Sequence, residues 1–159
     1  MERAHPLSRF GEYFMFGSPL KHAKIGDRFF LQLIYVHSKL MIVDDSNIIR
    51  GKISRTLTQH KMEVVATASN GEDAVKQFAA DHPDVVTMDL TMPRMDGLEC
   101  IRKLRQMKPD LRILVVSALA DKSTAIQALK EGAQGFLCKP FSEDDLTDAM
   151  DELLGDDHG

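Results

Sequence analysis

The sequence has little of what disulfide-stabilised, membrane-spanning or secreted proteins need. It contains only two cysteines and no tryptophan among 159 residues. Two cysteines are too few for a disulfide framework, so we expect Cys100 and Cys138 to be buried free thiols in a reducing compartment. The longest apolar run, Phe29 to Val36, cannot cross a bilayer and lies too far along the chain for a signal peptide. These absences predict a cytoplasmic protein without a membrane partner.

An excess of positive charge is also missing. The net charge is −4, and residues 39–159 carry fifteen Lys and Arg against twenty-one Asp and Glu. Direct binding of DNA or RNA is therefore not expected, because an acidic domain lacks the basic surface that phosphate backbones require. The glycines form no phosphate-binding loop pattern, and the six histidines show no metal-ligand spacing, so we interpret them as surface residues.

The chain divides into an irregular start and a regular remainder. Residues 1–38 hold five of the eight Phe and both Tyr but follow no helical or strand period. We interpret them as an irregular extension, either vector-derived or translated from upstream of the natural start. From Lys39 the pattern becomes regular. We predict one domain over residues 39–155 and a short tail over residues 156–159.

Within that domain, five short apolar runs alternate with five amphipathic segments. Strands are predicted at residues 39–43, 63–68, 84–88, 112–116 and 135–138. Each is followed by a predicted helix, with Ser46 or Asn47 capping the first, Asp121 or Ser123 opening the fourth, and Ser142 capping the fifth. Such alternation predicts an α/β fold with a parallel sheet covered on both faces and right-handed crossovers.

Polar side chains follow the ends of four of these strands: Asp44, Asp45, Asp89, Ser117 and Lys139. An aspartate at a strand end could simply cap a turn. However, parallel strands end at one edge of a sheet, where open α/β folds bind ligands, so we expect these five residues to converge. Three carboxylates this close need a counter-charge, and a hard divalent cation such as Mg²⁺ or Mn²⁺ suits oxygen ligands.

The same residues predict a particular chemistry. Asp89 offers a carboxylate nucleophile, Lys139 offers a compact positive charge for a phosphoryl oxygen, and Ser117 offers a neutral donor. Together with a metal ion they describe a site that forms an aspartyl phosphate.

Four motifs lie in order along residues 39 to about 154: Asp44-Asp45, then Met88 through Gly97, then Val115 through Ala118, then Lys139-Pro140-Phe141. In order and spacing they resemble the receiver domain of two-component response regulators, of the stand-alone kind that includes chemotaxis regulators. The resemblance implies a flavodoxin-like, doubly wound sheet of five parallel strands in the order 2-1-3-4-5, with five helices.

The resemblance also implies roles for individual residues. Asp89 would accept a phosphoryl group from a histidine kinase or a histidine phosphotransfer protein. The metal ion would be held by Asp44, Asp45, Asp89 and the backbone carbonyl of Thr91. Lys139 would pair with Asp89 and then with the phosphoryl group, and Ser117 would hydrogen-bond its oxygens.

A second set of implied features concerns the output. Phe136 matches an aromatic switch position that changes the surface of helix 4, strand 5 and helix 5 for a downstream protein target. The Lys139–Pro140 peptide bond is expected to be cis. The resemblance implies a monomer or a phosphorylation-linked dimer. It also implies a stoichiometric phosphoacceptor rather than an enzyme, although the domain could catalyse its own phosphorylation and dephosphorylation.

Two rival functions remain open at this point. A haloacid-dehalogenase-type phosphatase has a similar arrangement, but it requires a second aspartate, the general acid, two residues after the nucleophile. This chain has Thr91 at that position. A receiver-shaped interaction domain that is never phosphorylated usually lacks an acidic residue, the acceptor or the lysine, and this chain has all of them.

Overall fold

The sheet has the predicted topology. The computed structural model describes residues 38–119 and 121–155. In these ranges five parallel strands lie in the order β2-β1-β3-β4-β5, which confirms the doubly wound arrangement. The strands are β1 Lys39–Val43, β2 Glu63–Ala68, β3 Val85–Met88, β4 Arg112–Ser117 and β5 Gly135–Cys138. The third strand begins one residue later than predicted, at Val85.

A helix follows each strand. The five helices are α1 Asn47–Gln59, α2 Gly71–Asp81, α3 Gly97–Met107, α4 Lys122–Glu131 and α5 Glu143–Gly155. The predicted caps are found at Ser46, at Asp121 and at Ser142, where a side-chain oxygen accepts a hydrogen bond from an N–H in the first turn. Gly132 ends α4 with a φ of 124°, which a residue without Cβ adopts easily.

The helices cover both faces of the sheet. Helices α1 and α5 bury apolar side chains such as Ile53 and Leu146 on one face, and helices α2, α3 and α4 bury a separate set on the other. Successive residues of β1 contribute to opposite sets, with Ile42 in the first and Val43 in the second. Because every interior strand is covered twice, charged side chains are confined to the ends of the strands.

One prediction about the thiols is wrong. Cys100 is buried, and burial together with Glu99 and Asp96 raises the pKa of its thiol to about 12. Cys138, in contrast, is exposed. The reason is its position as the last residue of β5, a four-residue strand at the edge of the sheet, which has only β4 beside it among the described strands.

Other expectations are tested only within the described residues. His60 and His82 are exposed, as predicted, whereas the other four histidines lie outside the described ranges. Of the N-terminal extension predicted over residues 1–38, only Ser38 lies within those ranges, and the tail at 156–159 lies outside them. In the part of the chain that the structure describes, every helix is too short or too polar to span a membrane.

Candidate functional site

Three aspartates meet at the carboxyl edge of the sheet, the line of positions that directly follow the strands. Asp44, Asp45 and Asp89 each offer a carboxylate oxygen, and these oxygens lie within 4.8 Å of one another. The main chain holds them there: Asp44 N donates to the carbonyl of Ala68 at 3.0 Å, and Asp89 N donates to the carbonyl of Val43 at 2.9 Å. The strand ladder therefore continues one residue past β1 and β3 and fixes both carboxylates.

Asp44 is the most enclosed of the three, with 1% of its surface exposed. Its Oδ1 accepts a hydrogen bond from Ser46 N at 2.9 Å, and Arg50 Nη1 donates to its carbonyl at 2.6 Å. Its Oδ2 forms an ion pair with Lys139 Nζ at 2.8 Å and has no further partner among the described residues. Asp44 Oδ2 therefore keeps a lone pair available for another ligand.

Asp89 lies in surroundings that oppose its charge. Burial, followed by the neighbouring carboxylate of Asp44, raises the pKa of Asp89 to about 6, although Lys139 and the N–H of Thr91 pull it down. The Thr91 N–H donates to Asp89 Oδ1 at 3.4 Å, a long hydrogen bond. Asp89 thus gains from any additional positive charge at this edge.

Lys139 lies between the two buried carboxylates. Its Nζ is 3.7 Å from Asp89 Oδ1 and closer still, as noted, to Asp44. The sequence interpretation paired it with Asp89 alone, whereas the structure has the ammonium shared and nearer to Asp44. Its backbone N–H donates to the carbonyl of Ser117 at 2.8 Å, and the Lys139–Pro140 bond is cis, as expected.

Ser117 and Phe136 complete the predicted set on the β4 and β5 side. Ser117 is fully buried, and its Oγ accepts a hydrogen bond from Leu119 N at 2.9 Å, which leaves the hydroxyl able to donate. Phe136 is half-buried, in register with Val115, and packs against the core on the α2, α3 and α4 face. The side chain of Thr91 is exposed, so Thr91 reaches Asp89 only through its backbone.

The loop after Asp89 depends on a glycine. Gly97 N donates to the carbonyl of Leu90 at 3.0 Å, and a Cβ at position 97 would lie 2.3 Å from the carbonyl oxygen of Asp89. No real Cβ tolerates this distance from a backbone atom. Gly97 therefore allows the loop to fold directly back onto the residue that carries the carboxylate.

The arrangement has counterparts among known proteins. The family model described as the response regulator receiver domain matches residues 40–151. The chain belongs to this family. The chemotaxis protein CheY of Bacillus subtilis is 39% identical to this receiver domain over 116 residues, which span 73% of this chain and 97% of that protein. CheY of Listeria monocytogenes is 39% identical over 114 residues, 72% of this chain and 96% of that protein.

Solved structures agree with the sequence relatives. A CheX–CheY–BeF₃–Mg²⁺ complex from Borrelia burgdorferi has a TM-score of 0.71 at 28% identity, covering 72% of this chain and 87% of that chain. The receiver domain of a NarL regulator from Mycobacterium tuberculosis has a TM-score of 0.69 at 30% identity, covering 74% of this chain and 95% of that chain. Signalling receiver domains thus share both the sequence pattern and the fold of this chain.

The residues present fit a divalent cation. All the available donors are oxygens, Asp44 Oδ2 is buried without a hydrogen bond from any described residue, and burial followed by the Asp44 carboxylate raises the pKa of Asp89. These are the features of a site for a hard cation with carboxylate ligands, such as Mg²⁺.

Two basic residues of α1 support the site and were not predicted from the sequence. Arg50 holds the carbonyl of Asp44, as described above. Lys52 Nζ donates a hydrogen bond to the carbonyl of Phe141 and lies 4.5 Å from the centroid of the Phe141 ring. A helical period distinguishes buried from exposed faces, but it carries no information about which backbone carbonyl a long side chain reaches.

Proposed function

We propose that this receiver domain is a phosphoacceptor switch in which Asp89 takes a phosphoryl group from a histidine kinase or a histidine phosphotransfer protein. The observation that carries the proposal is the position of the buried Asp89 carboxylate beside Lys139 at the carboxyl edge. Carboxylate oxygens of Asp44 and Asp45 lie within 4.8 Å of it. Reaction at this site is stoichiometric, because the product is the modified domain itself.

In the transfer step, a carboxylate oxygen of Asp89 attacks the phosphorus atom of the donor. A new carboxyl O–P bond forms while the bond from phosphorus to the donor's imidazole nitrogen breaks, and that nitrogen keeps the electron pair. The Lys139 ammonium stabilises charge on the phosphoryl oxygens, and the Ser117 hydroxyl donates a hydrogen bond to them.

The metal ion would be held by Asp44, Asp45, Asp89 and the backbone carbonyl of Thr91. When bound, it supplies positive charge for the phosphoryl oxygens and for the crowded carboxylates. Mn²⁺ prefers similar oxygen ligands and could substitute for Mg²⁺.

Phosphorylation acts on partners by shifting a population between two states. The new contacts made by Ser117 and Lys139 favour one state only by the free energy with which they differ between the two. Phe136, half-buried in β5, is the residue we assign to transmit the change to the surface of α4, β5 and α5. That surface exposes Ile126 and Leu129, which suit an apolar contact with a downstream protein target.

The remaining features of the proposal concern the setting. We expect a cytoplasmic protein that acts through protein partners rather than by binding nucleic acid directly. It would work as a monomer or as a dimer that forms on phosphorylation. Phosphatase activity toward small esters is not expected, because Thr91 cannot act as the general acid that a second aspartate would provide.

The test uses the two aspartates of one strand. Wild type, Asp89→Asn and Asp84→Asn are incubated with acetyl phosphate and Mg²⁺, and the intact masses are measured. Asp84 precedes β3 and Asp89 follows it, so Asp84→Asn is a matched control for the loss of one carboxylate. We expect one added phosphoryl group on wild type and on Asp84→Asn and none on Asp89→Asn. An equal mass gain in Asp89→Asn contradicts the proposal.

A further inference from the structure

Lys52 makes two contacts with Phe141, a residue of the connection that follows β5. It lies in the second turn of α1, and its ammonium both donates to the Phe141 carbonyl and sits over the Phe141 ring, 4.5 Å from the ring centroid. Phe141 is only 5% exposed and belongs to the core between the sheet and helices α1 and α5. A partly buried ammonium that meets both a carbonyl and an aromatic face forms a directed contact that water does not readily replace.

The contact falls on the segment that carries Lys139. Residues 139–142 connect β5 to α5, and their two ends are fixed by main-chain and capping hydrogen bonds. Lys139 N donates to the Ser117 carbonyl at 2.8 Å, and Ser142 exchanges hydrogen bonds with Asp145 at 2.9 and 3.0 Å. Between these ends, the Phe141 carbonyl is held by Lys52. Lys52 therefore ties the middle of this connection to α1.

Helix α1 also holds the opposite partner of the Lys139 ion pair. Arg50 donates to the carbonyl of Asp44, while Lys52 donates to the carbonyl two residues beyond Lys139. Asp44 Oδ2 and Lys139 Nζ are the atoms that lie 2.8 Å apart. Two basic side chains of one helix thus fix the backbones from which both members of this pair extend.

We propose that Lys52 is a positioning residue for Lys139: it fixes the β5–α5 connection so that the Lys139 ammonium points at the phosphoryl position. The inference rests on the proposed function, because it assumes that Lys139 contacts the phosphoryl group. A lysine side chain is flexible, so the position of its backbone determines how often the ammonium is directed at the phosphoryl group.

The first experiment compares three substitutions. Lys52→Met keeps the aliphatic length but removes the donor and the charge, Lys52→Arg keeps a cation that can donate and stack, and Lys76→Met removes an exposed lysine of α2 as a charge control. With saturating acetyl phosphate and Mg²⁺, we expect the phosphorylation rate of Lys52→Met to fall about tenfold, within the ~100-fold that a misplacement of an ångström can cost. Lys52→Arg should recover most of the rate, and Lys76→Met should match wild type.

A second experiment asks whether Lys52 acts through Lys139. In a Lys139→Ala background, adding Lys52→Met should change the residual rate by less than about twofold, because the group it positions is already gone. An undiminished tenfold loss in that background overturns the inference, since Lys52 would then act through its own charge on the donor. The same loss in Lys76→Met would overturn it as well.

A third measurement needs no reaction. Native-state hydrogen exchange of the Lys139 and Ser142 amides, which are both hydrogen-bonded, should be faster in Lys52→Met by about fivefold, the factor that one net hydrogen bond supplies. Amides of β1 and β3 should be unaffected, and calorimetry should find Mg²⁺ binding within about twofold of wild type, as for a site with no shared partner. Faster exchange throughout the sheet would mean a general loss of stability and would overturn the positioning role.

The outcomes separate this inference from the proposed function. If wild type takes no phosphoryl group at Asp89, the proposed function fails before Lys52 is tested. If wild type is phosphorylated while Lys52→Met retains the wild-type rate and exchange, only the role of Lys52 is wrong. If Lys52→Met does not fold, the comparison is made with Lys52→Gln, which also removes the charge, against Lys52→Arg.

Discussion

Strand β3 has an aspartate at each end, and the two have opposite surroundings. At the amino end, Asp84 stabilises the chain: its Oδ2 accepts from Lys39 N at 3.1 Å and its N–H donates to the Lys39 carbonyl at 2.8 Å. At the carboxyl end, Asp89 is 2% exposed and faces another buried carboxylate, Asp44, with one ammonium shared between them. The same residue type supports the fold at one end and strains it electrostatically at the other. A group kept where it lowers stability is a mark of function.

The largest expected effect tests how tightly the carboxyl end is packed. Gly97→Ala should destabilise the domain by about 3 kcal/mol, because its Cβ would overlap the carbonyl of Asp89 and the backbone would have to move. Gly51→Ala in α1 is the control: its Cβ meets only the flexible end of Arg55 at 3.3 Å, so the substitution should stabilise by up to about 1 kcal/mol. Urea denaturation measures both. A Gly97→Ala variant as stable as wild type would show that the loop is not fixed to Asp89.

The next effect compares the two aspartates directly, at pH 7 without divalent cations. Asp89→Asn should stabilise the domain by about 3 kcal/mol, since the pKa of Asp89 is raised from 3.8 to about 6, its charge opposes folding, and one pKa unit is worth about 1.4 kcal/mol. Asp84→Asn should instead destabilise by about 1 kcal/mol, because it weakens the acceptor for Lys39 N. Changes of the same sign in the free energy of unfolding of the two variants would contradict the contrast between the two ends of β3.

The pH dependence of that difference has a definite sign. The pKa of Asp89 is about 6 in the folded protein against an ordinary 3.8, so the folded state binds the proton more tightly. The resulting contribution to stability is fully present below about pH 4 and is lost as pH rises through about 6. The advantage of Asp89→Asn over wild type should therefore be complete above about pH 6 and vanish toward pH 4 in denaturation measured across this range. A constant advantage would assign it to packing instead.

A smaller effect is expected in the middle of the strand. Thr87 lies between the two aspartates, and its buried hydroxyl finds no hydrogen-bond partner among residues 38–119 and 121–155. Thr87→Val, which has the same shape, should stabilise by about 1 kcal/mol. The control is Thr67→Val on the exposed side of β2, which should stay within about 0.5 kcal/mol of wild type. A destabilised Thr87→Val would reveal a partner for the hydroxyl.

The smallest expected effect is at the N-terminus. Removal of residues 1–36, so that the chain begins at His37, should leave Mg²⁺ binding and phosphorylation of Asp89 unchanged, because every residue assigned to the site lies after Lys39. Self-association or solubility should change instead, since the apolar and aromatic side chains of residues 29–36 are lost. Sedimentation and the phosphorylation assay measure the two. Loss of phosphorylation would make the N-terminal residues part of the site.

The fold and the positions of the site residues follow from a simple pattern. Each buried strand is an apolar run, and in a parallel sheet the first polar residue after the run lies at the carboxyl edge. For this reason the sequence alone predicts that Asp44, Asp89 and Lys139 lie close together. The same logic failed at Cys138, because a strand at the margin of the sheet has the apolar pattern of an interior strand but is covered less completely.

Side-chain contacts were less predictable. Whether Lys139 lies nearer to Asp44 or to Asp89 depends on differences of about an ångström, between 2.8 and 3.7 Å, which strand ends cannot resolve. The Lys52 contact joins residues 89 positions apart through a backbone carbonyl, and any residue type at position 141 provides a carbonyl. Such contacts leave no signature in a single sequence.

The central claim is that the strained aspartate at the carboxyl end of β3 is the phosphoacceptor, and mapping the phosphoryl group tests it most directly. The domain is treated with acetyl phosphate and Mg²⁺, the acyl phosphate is reduced with borohydride, and the digested peptides are sequenced by mass spectrometry. The account predicts one reduced residue, at Asp89, that disappears when Mg²⁺ is chelated, with Asp84 unmodified in the same peptide. Modification at another residue, or at Asp89 with equal yield when the metal is absent, would contradict it.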